Sequence, residues 1–205
     1  MKFYMLVLAL DTTTRQGSAS LTRDGALLGT YVGDPAVTHG ERLPGDAVRL
    51  LRAHALCVAD VDLFAVAAGP GSFTGLRIGI ATLQGLALAI NRPLIGVSAL
   101  DALNAAVLSS LTSYLSPLTG VEGGHDVAAW MDAQRGQIFS ARYSGDDLVD
   151  GPTAEKPADV LARWARHRRD GAPRVFAGDG ATAYAAMIRD VFPDAEVATF
   201  LPPLA

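Results

Sequence analysis

The sequence predicts an α/β protein made of two mixed-sheet halves related by internal duplication. Three observations predict it. Each half opens on an apolar strand that ends in aspartate and leads through a turn and a glycine to a second strand: Leu10-Asp11 with Gly17, and Met131-Asp132 with Gly136. Each half later carries a similar strand-to-helix turn, Ala68-Gly69-Pro70-Gly71-Ser72 and Ala177-Gly178-Asp179-Gly180-Ala181. The two features occur in the same order in both halves, which chance matches of this size do not require.

The elements follow from periodicity and punctuation. Tyr4 to Leu10 is a continuous apolar run and reads as a buried strand. Gly17 to Thr22 is a second strand, Arg23-Asp24-Gly25 a hairpin turn, and Ala26 to Val32 a third strand. A helix from Gly40 to His54 puts Leu43, Ala47, Leu50 and Leu51 on one face; Pro44 and Gly45 blur its start. A strand from Asp62 to Ala67 leads into a helix from Phe73 to Ile90. A strand from Leu94 to Val97 and a helix from about Ser98 to Ser110 complete the first half.

The second half repeats the opening. Strands are expected at His125 to Met131, at Gln137 to Tyr143 after a turn at Arg135-Gly136, and at Asp146 to Val149. Pro157 suits the first turn of a helix running to about Arg168. A strand at Arg174 to Ala177, a helix from Ala181 to about Arg189 and a strand at Glu196 to Phe200 end the chain. Leu111 to Gly124, rich in Ser, Thr, Pro and Gly, marks the expected boundary, giving subdomains 1–113 and 114–205. Two such halves suggest the actin/Hsp70/sugar-kinase architecture, in which the aspartate-ended hairpins and the later glycine turns face an interdomain nucleotide cleft.

Composition narrows the function. Of 205 residues, 50% are hydrophobic and 19% charged, enough to bury a substantial core. A net charge of −4 gives no overall field favouring nucleic acid. Cys57 is the single cysteine, so no internal disulfide forms and a reducing compartment is expected. The short apolar N-terminus ends at Asp11 without a cleavage pattern, and no stretch approaches the ~20 uninterrupted apolar residues of a membrane span. A soluble cytoplasmic protein is expected.

Several residues are candidates for chemistry. Gly69, Gly71 and Ser72 could cradle a phosphate at a helix N-terminus, or they form a tight turn that needs glycine only for geometry, with Ser72 as N-cap. The turn lacks the Lys-Ser/Thr ending of a P-loop. Asp11 could hold a magnesium–nucleotide complex with Thr12, Thr13 and Thr14 as donors, or it closes a hairpin as an Asx turn. Gly178 and Gly180 are the second-half counterparts; Asp132 is weaker, crowded by Gln134 and Arg135. His39, His54, His125 and His167 lack metal-ligand spacing, and no nucleophile motif surrounds Ser72. Arg163, Arg166, His167, Arg168 and Arg169 form a basic cluster that reads better as a solvated helix end than as an RNA contact.

The helix from Phe73 to Ile90 is apolar on nearly every side. Phe73, Leu76, Ile80, Leu83, Ala87 and Ile90 make a core-facing stripe; Gly75, Gly79, Thr82, Leu86 and Ala89 make a second, small or apolar one. One side is expected on the sheet and the other under a partner, or under a further helix of the same domain.

Gly69-Pro70-Gly71-Ser72-Phe73-Thr74-Gly75-Leu76-Arg77-Ile78-Gly79 strongly resembles the TsaB (YeaZ) family, which takes part in making threonylcarbamoyladenosine beside the anticodon of certain tRNAs. Leu10-Asp11-Thr12-Thr13, His39-Gly40-Glu41-Arg42-Leu43, Pro93-Leu94-Ile95-Gly96-Val97-Ser98-Ala99-Leu100 and Met131-Asp132-Ala133-Gln134-Arg135-Gly136-Gln137-Ile138-Phe139 match in order, over about two-thirds of the chain. The resemblance implies a non-catalytic platform that pairs with the related catalytic subunit TsaD and is joined by the ATPase TsaE. TsaD carries an H-x-x-x-H metal site where this chain has Ala99 and Leu103. The resemblance further implies a pairing surface on the two helices, at His39, Glu41, Arg42, Leu43, Arg77, Ile80, Leu83, Gln84 and Ala87.

No cofactor is required on this reading, although weak ATP or ADP binding at Asp11, Thr12 and the glycine turns is allowed. A homodimer is allowed when TsaD is absent, and contact with tRNA is expected to be indirect. Gly40 stands where serine is usual. The helix expected after the last strand is missing, so a shortened C-terminus is expected. The competing functions are a nucleotide-binding ATPase of the same fold and, with no supporting nucleophile or zinc site, a peptidase.

Overall fold

A computed structural model describes residues 5–115, 126–166 and 172–198. The first half opens on the hairpin β1 (Leu6–Asp11) and β2 (Ser18–Arg23), continued by β3 (Ala26–Val32). α1 (His39–Ala53), β4 (Leu63–Gly69), α2 (Phe73–Ile90) and β5 (Leu94–Ser98) follow. The sheet order is β3-β2-β1-β4-β5. β1 runs antiparallel to β2 and parallel to β4, so it is central, and it alternates buried Leu6, Leu8 and Leu10 with half-buried Val7 and Ala9. α1 and α2 cover the leucine face, where Leu43, Leu50, Leu51, Phe64 and Leu83 complete one core.

The second half consists of β6 (Asp126–Gln134), β7 (Gln137–Ser144), β8 (Asp147–Glu155), α4 (Pro157–Arg166), β9 (Val175–Ala177), α5 (Asp179–Ala183), α6 (Ala185–Val191) and β10 (Glu196–Ala198). Its order is β8-β7-β6-β9-β10, with the same alternation of antiparallel and parallel pairs. Each half therefore has one topology, and the duplicated mixed-sheet, actin-like fold expected from the two aspartate-ended strands is present. An aromatic cluster of Trp130, Trp164, Phe176 and Phe192 fills the second core.

Several boundaries differ from expectation for identifiable reasons. α1 passes through Pro44 because the proline stands early, where few backbone bonds precede it. α3 (Ala99–Leu115) outlasts Ser110; Ser109 and Ser110 do not end it as caps, because their hydroxyls donate back to the carbonyls of Ala105 and Ala106, both at 2.8 Å. β8 extends well past Val149. The helix expected at Ala181 starts at Asp179 and breaks at Tyr184 (φ −111°, ψ 23°).

The chain divides into two compact units after Ala99, so α3 belongs with the second unit and not with the first, as a cut at 113/114 implied. The reason is local. Asp101 of α3 accepts the Tyr143 hydroxyl at 2.6 Å, and Asn104 donates to the Gly145 carbonyl at 2.9 Å. His125, the Ser/Thr/Pro/Gly stretch beyond Leu115, the His167-Arg168-Arg169 part of the basic cluster and the chain beyond Ala198 lie outside the described residues.

Candidate functional site

In the first unit the turn after β1 is packed against the start of α2. Asp11 is buried, and its Oδ1 accepts the Thr13 backbone N–H at 2.8 Å. The Ser72 N–H donates to the Thr13 carbonyl at 2.8 Å, and the Ser72 hydroxyl accepts from the Gly75 N–H at 3.2 Å as an N-cap. A β-carbon at Gly75 would stand 2.1 Å from the Thr12 carbonyl oxygen, and one at Gly79 2.2 Å from Thr12 Oγ1. The glycines of α2 thus let the helix lie directly on Thr12. The hydroxyls of Thr12 and Thr13 are buried without a hydrogen-bond partner among the described residues, and that of Thr12 points at the Gly79 backbone. Both were candidate phosphate donors.

The second unit repeats the device. Asp132 Oδ1 accepts the Gln134 N–H at 2.9 Å, an Asx turn like that of Asp11, and the Gln134 side chain holds the other oxygen. Gly69 and Gly178 share positive φ, 116° and 107°. A β-carbon at Gly178 would meet the Trp130 carbonyl oxygen at 2.1 Å, so the turn lies on the middle of β6. Asp179 then places its carboxylate on the N–H groups of Asp132 (3.0 Å) and Gly180 (2.8 Å). Two donors that a phosphate would use are held by the chain's own anion. Sequence reading passed over Asp179, although an acid between two glycines at a helix start was the available signal.

The candidate pairing residues separate by burial. Leu43, Leu83 and Ala87 lie in the first core, and His39 and Arg42 are buried, so these five are not surface residues of this unit. Glu41, Arg77 and Gln84 are exposed, and Ile80 is half-buried. The residues of α2 buried in the core are Gly75, Gly79, Leu83 and Ala87, with Ile80 and Ile90 packed against it, so most of the stripe led by Phe73 meets the core and Phe73 itself turns outward. Phe73 is 67% exposed and carries the Arg77 guanidinium 4.0 Å from its ring centre, while Leu88 is 82% exposed. Phe73, Arg77, Ala81, Gln84 and Leu88 form an outer stripe along α2. By length and mean hydropathy (1.5 over 18 residues) α2 could cross a membrane, but its inner side packs on β1 and β4.

Arg42 holds the inner side of α1. Its guanidinium pairs with Asp46 at 2.7 Å, bonds the Gln16 carbonyl, and lies 3.0 Å from His39 Nδ1. His39 Nε2 is 2.9 Å from the Thr14 carbonyl. At the start of α3, Ala99 and Leu103 are both buried, and Leu103 packs against Gly178. Among the described residues no three His, Cys, Asp or Glu side chains gather as a metal-ligand set. In the basic cluster, Arg163 pairs with Glu155 (2.6 Å) and Asp150 (3.2 Å), as a structural clasp between α4 and β8.

Comparison with known proteins identifies the family. Residues 35–197 match the family model described as TsaD, tRNA N6-adenosine threonylcarbamoyltransferase. The chain is 33% identical to the tRNA threonylcarbamoyladenosine biosynthesis protein TsaB of Escherichia coli, over 70% of this chain and 57% of that protein. It is 34% identical to an uncharacterized protein of Mycobacterium tuberculosis, over 75% of this chain and 66% of that one. The chain thus spans less than two thirds of the length of these relatives. Among solved structures, YeaZ from Pseudomonas aeruginosa superposes with a TM-score of 0.70 at 28% identity, covering 97% of this chain and 86% of that one.

Proposed function

This chain belongs to the TsaD family, alongside the TsaB (YeaZ) proteins, and we propose on that premise that it is a non-catalytic, partner-holding subunit in the synthesis of threonylcarbamoyladenosine in tRNA. One observation carries the reading. At the start of α3, where the resemblance expects the catalytic relative to hold a metal between two histidines, this chain has Ala99 and Leu103, both closed into apolar packing. Neither side chain can ligate a metal.

The partner is a TsaD-type catalytic subunit, and its docking surface is the outer stripe of α2 with Glu41 of α1. That surface sets exposed Phe73, Ala81 and Leu88 among Arg77, Gln84 and Glu41, apolar anchors with a polar surround, as at an interface. A TsaE-type ATPase completes the assembly, tRNA contact is indirect, and the work is cytoplasmic. The same stripe would pair two copies of this chain when the catalytic subunit is absent.

No nucleotide is needed for this role. The Asp179 carboxylate on the Asp132 and Gly180 N–H groups, and the Thr13 carbonyl on the Ser72 N–H, support that reading over an ATPase. Mixing the chain with the TsaD-type protein of the same organism and measuring the mass of the eluting species tests the proposal. A stoichiometric complex is expected; separate elution of the two proteins overturns it. Calorimetry of the isolated chain with magnesium and millimolar ATP is expected to give no binding heat.

A further inference from the structure

The first turn of α1 is built on two sides at once. Its outer side carries an exposed clasp: Glu41 accepts both the backbone N–H and the hydroxyl of Thr38, at 3.1 and 2.7 Å, which closes the helix start. Its inner side carries the buried trio His39, Arg42 and Asp46. Nε2 of His39 faces the Thr14 carbonyl, which can only accept, so Nε2 bears the proton. Nδ1 is then the acceptor for Arg42, which can only donate. Arg42 in turn bonds the Gln16 carbonyl and Asp46. These contacts end in the segment Thr14–Gln16, directly after Asp11 and Thr13.

The surroundings leave the trio no slack. A β-carbon at Gly33 would fall 1.8 Å from the Arg42 guanidinium, and one at Gly17 2.8 Å from the His39 ring. A buried ion pair of this kind adds little net stability compared with apolar packing of the same shape; its better-attested effect is to specify one arrangement. Removing Asp46 leaves the Arg42 charge buried without its carboxylate, and among the described residues Arg42 Nε has no hydrogen-bond partner.

We propose that His39 and Arg42 are positioning residues that couple the outer side of α1's first turn to the Asp11–Gly17 turn. A contact that tightens or loosens the Thr38–Glu41 clasp thereby tightens or loosens that inner turn. The coupling is a property of the free chain; only the identity of the protein acting on the outer side rests on the function proposed above.

Amide hydrogen exchange on the full free chain tests the coupling without a partner. The Thr13 and Gly17 amides, bonded to Asp11 and to the Thr14 hydroxyl, are the reporters; the β1 and β4 amides report whether the sheet is intact. Glu41→Ala, which leaves Thr38 without its acceptor, is expected to speed exchange of the two reporters roughly tenfold, about the loss of one or two hydrogen bonds, with β1 and β4 unchanged. Paired replacement R42M with D46L is expected to speed them as much, and adding Glu41→Ala to it is expected to change them no further. His39→Phe, which removes the ring's contacts with Thr14 and Arg42 and keeps the Arg42–Asp46 pair, serves the same comparison if the paired variant does not fold. Unchanged reporters in Glu41→Ala overturn the proposal. So do effects that multiply when Glu41→Ala is combined with the paired variant, or with His39→Phe in its place.

Discussion

Gly79 lies so close to Thr12 that a β-carbon at position 79 would stand 2.2 Å from the Thr12 hydroxyl oxygen, well inside van der Waals contact. This approach, with that of Gly75 to the Thr12 carbonyl, fixes the depth of α2 on the sheet. It also explains why a motif that reads like a phosphate cradle is spent on packing.

Replacing Gly by Ala inside a helix normally gains up to about 1 kcal/mol. At Gly75 the sign is expected to reverse. The new methyl meets a backbone oxygen that cannot rotate away, and overpacking of this kind costs about 1–3 kcal/mol. Gly85, where a β-carbon meets nothing within 4 Å, is the control. Urea unfolding should show Gly75→Ala less stable than wild type and Gly85→Ala slightly more stable.

Leu83 and Leu88 sit five residues apart on one helix with opposite roles. Leu83→Ala is expected to cost about 2–5 kcal/mol, because it opens a hole in the first core. Leu88→Arg changes an exposed side chain and is expected to shift stability by no more than about 0.5 kcal/mol. The second variant, not the first, should keep its fold and lose the complex with the TsaD-type subunit in size-exclusion chromatography with light scattering.

Asp179 neutralises two backbone donors in the second unit. Asp179→Ala leaves them without that acceptor and is expected to cost about 1–3 kcal/mol. Chemical denaturation reads the loss. Restoration of most of it by Asp179→Asn would identify the hydrogen bonds, rather than the charge, as the source.

Tyr143 adds a pH dependence of known sign. Burial, then its hydrogen bond to Asp101, pushes the phenol well above its ordinary value of 10. The folded chain therefore keeps this proton where the unfolded chain has released it. The contribution is whole below pH about 10 and is lost as pH rises through the folded value. Stability measured from pH 9 upward should fall more steeply for wild type than for Tyr143→Phe.

Much of the fold was legible because duplication is a pattern in order. Leu10-Asp11 and Met131-Asp132, each with its hairpin glycine, mark the two central strands, and the later glycine turns mark the crossovers. The Asp24-Gly25 and Arg135-Gly136 turns were legible for a local reason, the positive φ that both residues of each turn adopt. The place of α3 was not legible, because it depends on Tyr143 and Gly145, some 40 residues away along the chain.

The sequence by itself determined the two halves, their strand character and the lack of histidines at positions 99 and 103. Only the tertiary structure decided which side of α2 is buried, and that Arg42, Leu83 and Ala87 face inward. The physical reason lies in the helix. Periodicity tells which residues share a face, but a helix apolar all round gives no preference among its faces. The choice is made by backbone approach, where Gly75 and Gly79 permit contact with Thr12, which turns Leu83 and Ala87 inward and leaves Phe73, Arg77 and Leu88 outside.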